Sequence, residues 1–242
     1  MKSRRYAYHV PAVFFIMMLL VAVFSWMANI YEVGDIENML STEGIRWSLS
    51  HMIEGYVCNP ALGVSLVLLI GLGIFVYSGA CGAIGRVCSK GQWTSRKERR
   101  ALMAALLVLV VYMLLVFLCM FIPSTISRSV TGNIGDSPLC KGWCYVVSLG
   151  VGLSGAAYGY VSETFRNDAD LVKAMSGLIS SNADYWVSLF FITHFFSTVE
   201  YTRLGEWAGM TSQTLYVSYQ LACYLLLVMI LVFRYRSFGN EK

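Results

Sequence analysis

The sequence predicts an all-α polytopic integral membrane protein with six transmembrane helices in one membrane domain, residues 1–242. Three observations predict it. The 242 residues are 57% apolar and 13% charged, with a mean hydropathy of +0.61. A soluble domain is about 45–50% apolar and ~25% charged. Six stretches reach the roughly 20 residues that a helix needs to cross a hydrocarbon core. Lys and Arg gather in alternate connections, the pattern of cytoplasmic loops. This composition excludes a soluble enzyme, a disordered tail and a nucleic-acid-binding domain.

The first span covers about 10–30, behind the basic residues Lys2, Arg4 and Arg5. It is longer than a signal-peptide core and lacks a small-x-small cleavage site, so it is expected to be retained. The outer segment that follows, Tyr31 to Asn59, carries five acids and one base. Within it, Ser41 or Thr42 can cap a helix, and Ile45, Leu49, Met52, Ile53 and Tyr56 recur at helical spacing. An outer interfacial helix is expected over about 42–57, with Trp47 at headgroup depth.

The second span covers about 60–84, and the series Gly71, Gly73, Gly79, Gly82 and Gly85 suits close helix packing. A basic cytoplasmic loop follows at 86–100, with six bases against Glu98, suited to anionic headgroups. The third span is about 101–122. The fourth, about 145–165, is glycine-rich. Gly152/Ala156 and Gly155/Gly159 sit one turn apart, which favours close helix approach or a broken helix exposing backbone to substrate. The fifth is about 185–204 and the sixth about 214–235. Both termini then lie inside, with 14 of 18 basic residues on the cytoplasmic side and Arg46, Arg128, Lys141 and Arg203 outside.

Polar residues inside lipid need partners and mark function. His194, Thr198, Glu200 and Arg203 cluster in the fifth span. His194 lies nine residues in, about 14 Å deep at 1.5 Å per residue, where an imidazole either hydrogen-bonds or relays a proton. Glu200 and Arg203 are spaced i, i+3 and can pair. The weak substrate- or ion-binding candidates are therefore His194, Thr198, Glu200, Gly152, Gly155 and Gly159. Cys58, Cys140 and Cys144 fall on the outer side, where a Cys140–Cys144 disulfide or a Cys58 link to either is allowed. Metal-ligand spacing and cofactor motifs are absent from the sequence, as are protease, zincin and P-loop signatures.

The halves look alike. Asn59 precedes Val64-Ser65-Leu66, and Asn182 precedes Val187-Ser188-Leu189 at the same offset. Three spans per half would enter the membrane from opposite sides, giving a 3+3 inverted repeat; two hydrophobic triplets of similar composition are the alternative.

The run from Ser41 to Arg86 resembles the N-terminal region of the AbgT family of membrane transporters. The matching positions are Glu43, Gly44, Ile45, Arg46, Trp47, Leu49 and Ser50, then Pro60, Leu62, Gly63, Leu72, Gly73, Ser78 and Gly79. The resemblance implies a homodimeric secondary transporter of the bacterial inner membrane, of which this chain is a short, about half-length relative. It implies p-aminobenzoyl-glutamate and antimetabolites such as sulfonamides as substrates, driven by an ion gradient. The family's Ser-x-Ala-Ser-Asp-Ala-Gly stretch has no counterpart in 124–129 or 132–137, so no family substrate-site residue is carried over. Two readings follow. One is a transporter of a small amphipathic organic anion, with its site between spans two, four and five. The other is a transport-inactive subunit or scaffold of a larger inner-membrane complex. A midplane cavity favours the first; a solid core favours the second.

Overall fold

The computed structural model describes residues 9–90, 95–121 and 138–240. The N-terminal bases, Arg128 and the stretches at 124–129 and 132–137 lie outside them. Among the described residues the fold is all α. The chain forms two compact units, Met1–Gly63 with Asn182–Lys242, and Val64–Ser181.

In the first unit, α1 (His9–Ile30) and α2 (Thr42–Val57) pack against α9 (Ala183–Tyr201), as does α11 (Ser212–Asn240). Phe14 and Phe15 of α1 meet Phe195 and Phe191 edge-on, both at 5.6 Å between ring centroids. Ser41 caps α2, its hydroxyl accepting the Gly44 N–H at 3.0 Å. A Cβ on Gly44 would lie 2.6 Å from the Asn38 carbonyl, so the turn before α2 closes only over glycine. The stripe Ile45, Leu49, Ile53 and Val57 faces outward, with 51–73% exposure, while Tyr56 packs inward on Phe190.

The second unit holds α3 (Pro60–Tyr77) beyond its first turn, α4 (Ala80–Lys90), α5 (Arg96–Phe121), α6 (Pro138–Lys141), α7 (Trp143–Val161) and α8 (Asp168–Ser181). Small residues set its packing. Gly71 of α3 lies against Ser148 of α7, and Gly155 of α7 against the Phe75 backbone. Tyr112 of α5 donates to the Val146 carbonyl at 2.8 Å and lays its ring over Gly150. Ala80, Ala83, Ala101 and Ala105 bring α4 and α5 together around Tyr158. Arg86–Glu98 and Lys97–Glu163 ion pairs join the polar ends.

Among the described residues, five stretches are long and apolar enough to cross a membrane: Val10–Ile30, Thr42–Tyr77, Arg96–Met120, Trp143–Val161 and Ser212–Val232. Two details differ from the sequence expectation. The 60–84 span is interrupted at Ser78–Gly79, where Gly79 takes φ +86° and Ser78 accepts the Ala80 N–H at 3.3 Å. The short α10 (Leu204–Trp207) follows Arg203, whose left-handed φ of 56° ends the fifth helix early. With α9 stopped at Tyr201, Arg203 no longer sits one turn beyond Glu200 on the same helix. No ion pair joins them among the described residues.

α9 is not apolar enough to meet the same criterion. It is the most enclosed helix of its unit, with Tyr185, Ser188, Leu189, Ile192, Thr193, His194 and Thr198 all buried. Its Ser188, Thr193, His194 and Thr198 face protein, the condition under which such groups persist at membrane depth.

At the start of α8, Asp170 Oδ2 accepts the backbone N–H groups of Arg166 (3.0 Å) and Asn167 (3.3 Å). This is the acid half of a capping box. These bonds hold the Asp170 carboxyl below the usual aspartate range. A pKa lower in the folded state than in the unfolded state stabilises the fold at neutral pH. That contribution fades as pH falls from the ordinary aspartate value through the lower folded one. Asp170→Asn should therefore lower the thermal midpoint slightly at pH 7 and flatten its decline on acidification. A parallel decline in both proteins, followed by circular dichroism from pH 7 to 3, would count against this cap.

Candidate functional site

The site residues come from three segments of the first unit: the end of α1 with the turn after it, α2, and the middle of α9. Ser25 anchors the turn by accepting the Met39 N–H at 3.1 Å, and Glu37 N–H donates to the Thr202 carbonyl at 3.2 Å. These bonds set Met39 and Leu40 beside α2, along a half-open cavity of about 230 Å³. Its walls are mostly apolar, with three methionines (Met18, Met39, Met52) and Trp47. Trp47 stacks on His51 at 4.9 Å and on Tyr201 at 4.5 Å. Ile45 and Leu49, half or more exposed, form part of the same wall.

The polar residues of this wall are Ser48, His51, Thr193, His194, Ser197 and Thr198, of which His194 is the buried histidine. It is only 7% exposed. Its Nδ1 lies 2.7 Å from the Phe190 carbonyl oxygen, which can only accept, so Nδ1 carries the proton. In the neutral ring Nε2 is then a lone-pair acceptor. That atom is buried and has no hydrogen-bond partner among the described residues. Thr198 also lines the cavity, but its hydroxyl is engaged, donating to the His194 carbonyl at 2.7 Å.

A second cavity of about 200 Å³ opens at the joint between α2 and α3, lined by Asn59, Thr193, Glu200 and Tyr219 among others. Asn59 breaks the helix here. Its Oδ1 accepts the Ala61 N–H (2.9 Å) and its Nδ2 donates to Thr193 Oγ1 (3.2 Å). Thr193 donates to the Leu189 carbonyl at 2.8 Å, so the Tyr219 hydroxyl, 3.1 Å away, donates to Thr193. Asn59 and Asn182, 3% and 2% exposed, each begin a long helix behind a shorter one.

The structure thus brings His194 and Thr198 to one cavity and Glu200 to the other. Gly152, Gly155 and Gly159 line neither. They lie in the second unit, where α7 runs unbroken and they pack against Gly71, Phe75 and Phe165. Among the family-like residues, Gly44, Ile45 and Trp47 shape the first cavity, Pro60 starts α3, and Gly73 abuts the Ala174 carbonyl. Ser78 and Gly79 make the α3–α4 break, Glu43 and Arg46 are exposed, and Gly63 meets open space. Cys58, Cys140 and Cys144 are thiols. Cys140 and Cys144 are spaced i, i+4 across a nearly continuous helix, with Val146 N–H bonded to Gly142 O. Such neighbours hold their Cβ atoms about 5–6 Å apart, too far for the ~3.8 Å of a disulfide. Asn59, Thr193 and Tyr219 were not legible as a group; an asparagine directly before a span-opening proline was the available signal.

The sequence profile of the AbgT putative transporter family matches residues 87–235, more than half of the chain. The chain belongs to the AbgT family. The matched region begins directly after the Ser41–Arg86 run that resembles the family, and extends through α9 and into α11. The fold agrees. The YdaH transporter of Alcanivorax borkumensis, whose crystal structure shows an unusual topology, superposes with a TM-score of 0.69. The match spans 81% of this chain and 71% of that one, at 16% identity. No curated protein matches the sequence. This AbgT chain is thus a multi-pass membrane protein of a transporter family, with two cavities beside the buried α9 among the described residues.

Proposed function

We propose that this AbgT protein is an ion-coupled secondary transporter of the bacterial inner membrane. In this reading it moves a small amphipathic organic anion of the p-aminobenzoyl-glutamate type. The observation that carries the reading is His194: a buried imidazole beside a cavity, its Nε2 without a hydrogen-bond partner among the described residues. A packed scaffold gains nothing from leaving such an atom without a partner, since the lost hydrogen bond costs stability. A transporter gains a group that takes up a proton or a substrate hydrogen.

The topology proposed with it has six spans, α9 being the one hidden from lipid, and both termini in the cytoplasm. α2 lies along the outer interface with its apolar stripe toward lipid. The Asn59 and Asn182 joints, each followed by a buried serine at the same offset (Ser65, Ser188), support a 3+3 inverted repeat. The small-residue and apolar surfaces suit a homodimer.

The test is uptake of labelled p-aminobenzoyl-glutamate into vesicles holding the purified protein under an imposed proton or sodium gradient. Gradient-dependent uptake is expected, reduced roughly tenfold or more by His194→Ala, the scale for removing a group that acts in the rate-limiting complex. Flux equal to that of empty vesicles rejects this substrate and returns the scaffold reading.

A further inference from the structure

We propose that the second cavity, at the joint of α2 and α3, is a binding site for a primary ammonium group on a short alkyl chain. The Glu200 carboxylate supplies the counter-charge, and Phe196, Tyr216 and Tyr219 supply the aromatic wall. The residues concerned all lie in the first unit. This goes beyond the transporter reading and depends neither on it nor on His194.

Helical spacing assembles the site. Phe196 and Glu200 stand one turn apart on α9. Ser212, Tyr216 and Tyr219 follow at i, i+4 and i+7 on α11, so each set shares a face. The two helices pack together, and these residues line one half-open cavity of about 200 Å³. The rings are neighbours. The centroids of Phe196 and Tyr219 lie 5.4 Å apart and those of Tyr216 and Tyr219 6.5 Å, with planes inclined by 51° and 58°. Tyr219 is held in place by its hydroxyl bond to Thr193, whereas Tyr216 is 56% exposed.

Charge sets the sign of the guest. Among the described residues that line the cavity, Glu200 alone carries a formal charge, and it is exposed. The left-handed turn at Arg203 that ends α9 early also leaves Glu200 without an ion pair to it. The helix ends at the cavity offset one another, since α2 and α9 bring carbonyl ends while α3 and α11 bring amino ends. An anion is repelled by Glu200. A cation meets a carboxylate beside three rings, and ring faces attract organic cations.

The wall also decides which cation. Hard metal ions require a shell of oxygens, and rings occupy much of this wall. An alkylammonium sets its carbons against rings and offers three N–H donors. The Glu200 carboxylate and the Ser197 and Ser212 hydroxyls are acceptors lining the same cavity. Such an ammonium has two sources, the ethanolamine headgroup of a phospholipid and a free amine. In the topology proposed above the cavity lies at outer headgroup depth, within reach of both.

The test uses the full-length protein in dodecyl maltoside, which has neither ammonium nor anionic headgroups, with empty micelles as the blank. Saturation-transfer NMR titrations compare butylammonium, 1-butanol and butyrate, which share a chain and differ in charge. Butylammonium should bind about tenfold tighter than butanol, the scale of a cation–π contact with partial desolvation, and butyrate should bind weakest. Glu200→Gln and Tyr216→Leu should each remove most of this preference. Tyr216→Phe, which retains the ring, should keep it. Both positions are exposed, so unchanged thermal midpoints are expected for all three variants. Dihexanoyl-phosphatidylethanolamine that displaces butylammonium, where the phosphatidylglycerol analogue does not, assigns the site to a lipid headgroup. Displacement by neither lipid assigns it to free amines. Butanol binding as tightly as butylammonium, a preference untouched by Glu200→Gln, or sodium ions displacing butylammonium at equal concentration would overturn the site.

Discussion

Gly155→Leu should eliminate the folded protein. A Cβ at this position lies 2.7 Å from Phe75 Cα and 2.9 Å from Phe75 N. These are backbone atoms of α3, which cannot swing aside as a flexible side chain does. The facing residue is equally constrained, because a Cβ on Gly71 collides with the Ser148 carbonyl, and one on Gly152 would meet Gly71 Cα at 3.4 Å. Two helices therefore touch along a seam without side chains. In lipid no hydrophobic force draws helices together, so this contact holds α3 against α7 through dispersion and geometry. Gly155→Ala should cost about 1–3 kcal/mol, the usual range for overpacking. Gly155→Leu should exceed what the unit tolerates and appear as aggregated material in size-exclusion chromatography. Gly63→Ala is the control, since a Cβ there meets open space. Equal thermal midpoints for Gly155→Leu and Gly63→Ala would show that the seam is not needed.

The second large effect is expected at Asn59. Its side chain, buried, satisfies the Ala61 N–H and donates to Thr193. Asn59→Leu strands a buried backbone donor and leaves Thr193 Oγ1 with only the Tyr219 hydroxyl as donor. Each buried polar group left without a partner costs about 1–3 kcal/mol, so the thermal midpoint should drop sharply. Tyr219→Phe removes one donor to an oxygen that keeps Asn59, and its effect should be clearly smaller. Equal losses in the two variants would mean that the joint is held by packing and not by this asparagine.

How far the sequence could be read depends on what sets each element. α1, α5 and α11 are visible because their sides face lipid, and apolar length is the only requirement they meet. The 60–84 run hid its break because Ser78–Gly79 is apolar enough to pass, while the left-handed turn depends on Gly79 lacking a Cβ. α9 was visible as a helix, yet its hydropathy misstates its surroundings: α1, α2 and α11 pack on it, so His194, Thr193 and Thr198 cost less than they would in lipid. His194 itself was legible, being an ionisable group deep in an expected span. The cavity was not. Its walls come from residues near 18–22, 39–55 and 193–198, and no local pattern ties segments so far apart. The same distance hid the Asn59–Thr193 bond, which joins residues 134 apart. The Cys140–Cys144 and Glu200–Arg203 pairings were read from spacing alone. The first fails because a helix holds neighbours too far apart for a covalent link. The second fails because the helix stops before its i, i+3 register is complete.

The outward stripe of α2 shares Ile45 and Leu49 with the cavity wall, so in the topology proposed above, with that stripe toward lipid, the doorway opens sideways onto hydrocarbon. In that topology a guest molecule reaches the cavity by dissolving in the bilayer first and then sliding laterally. Its effective abundance at the entrance is its aqueous concentration multiplied by its oil–water partition coefficient. Ranked by dose in the medium, greasier compounds will look stronger than their grip on the protein warrants.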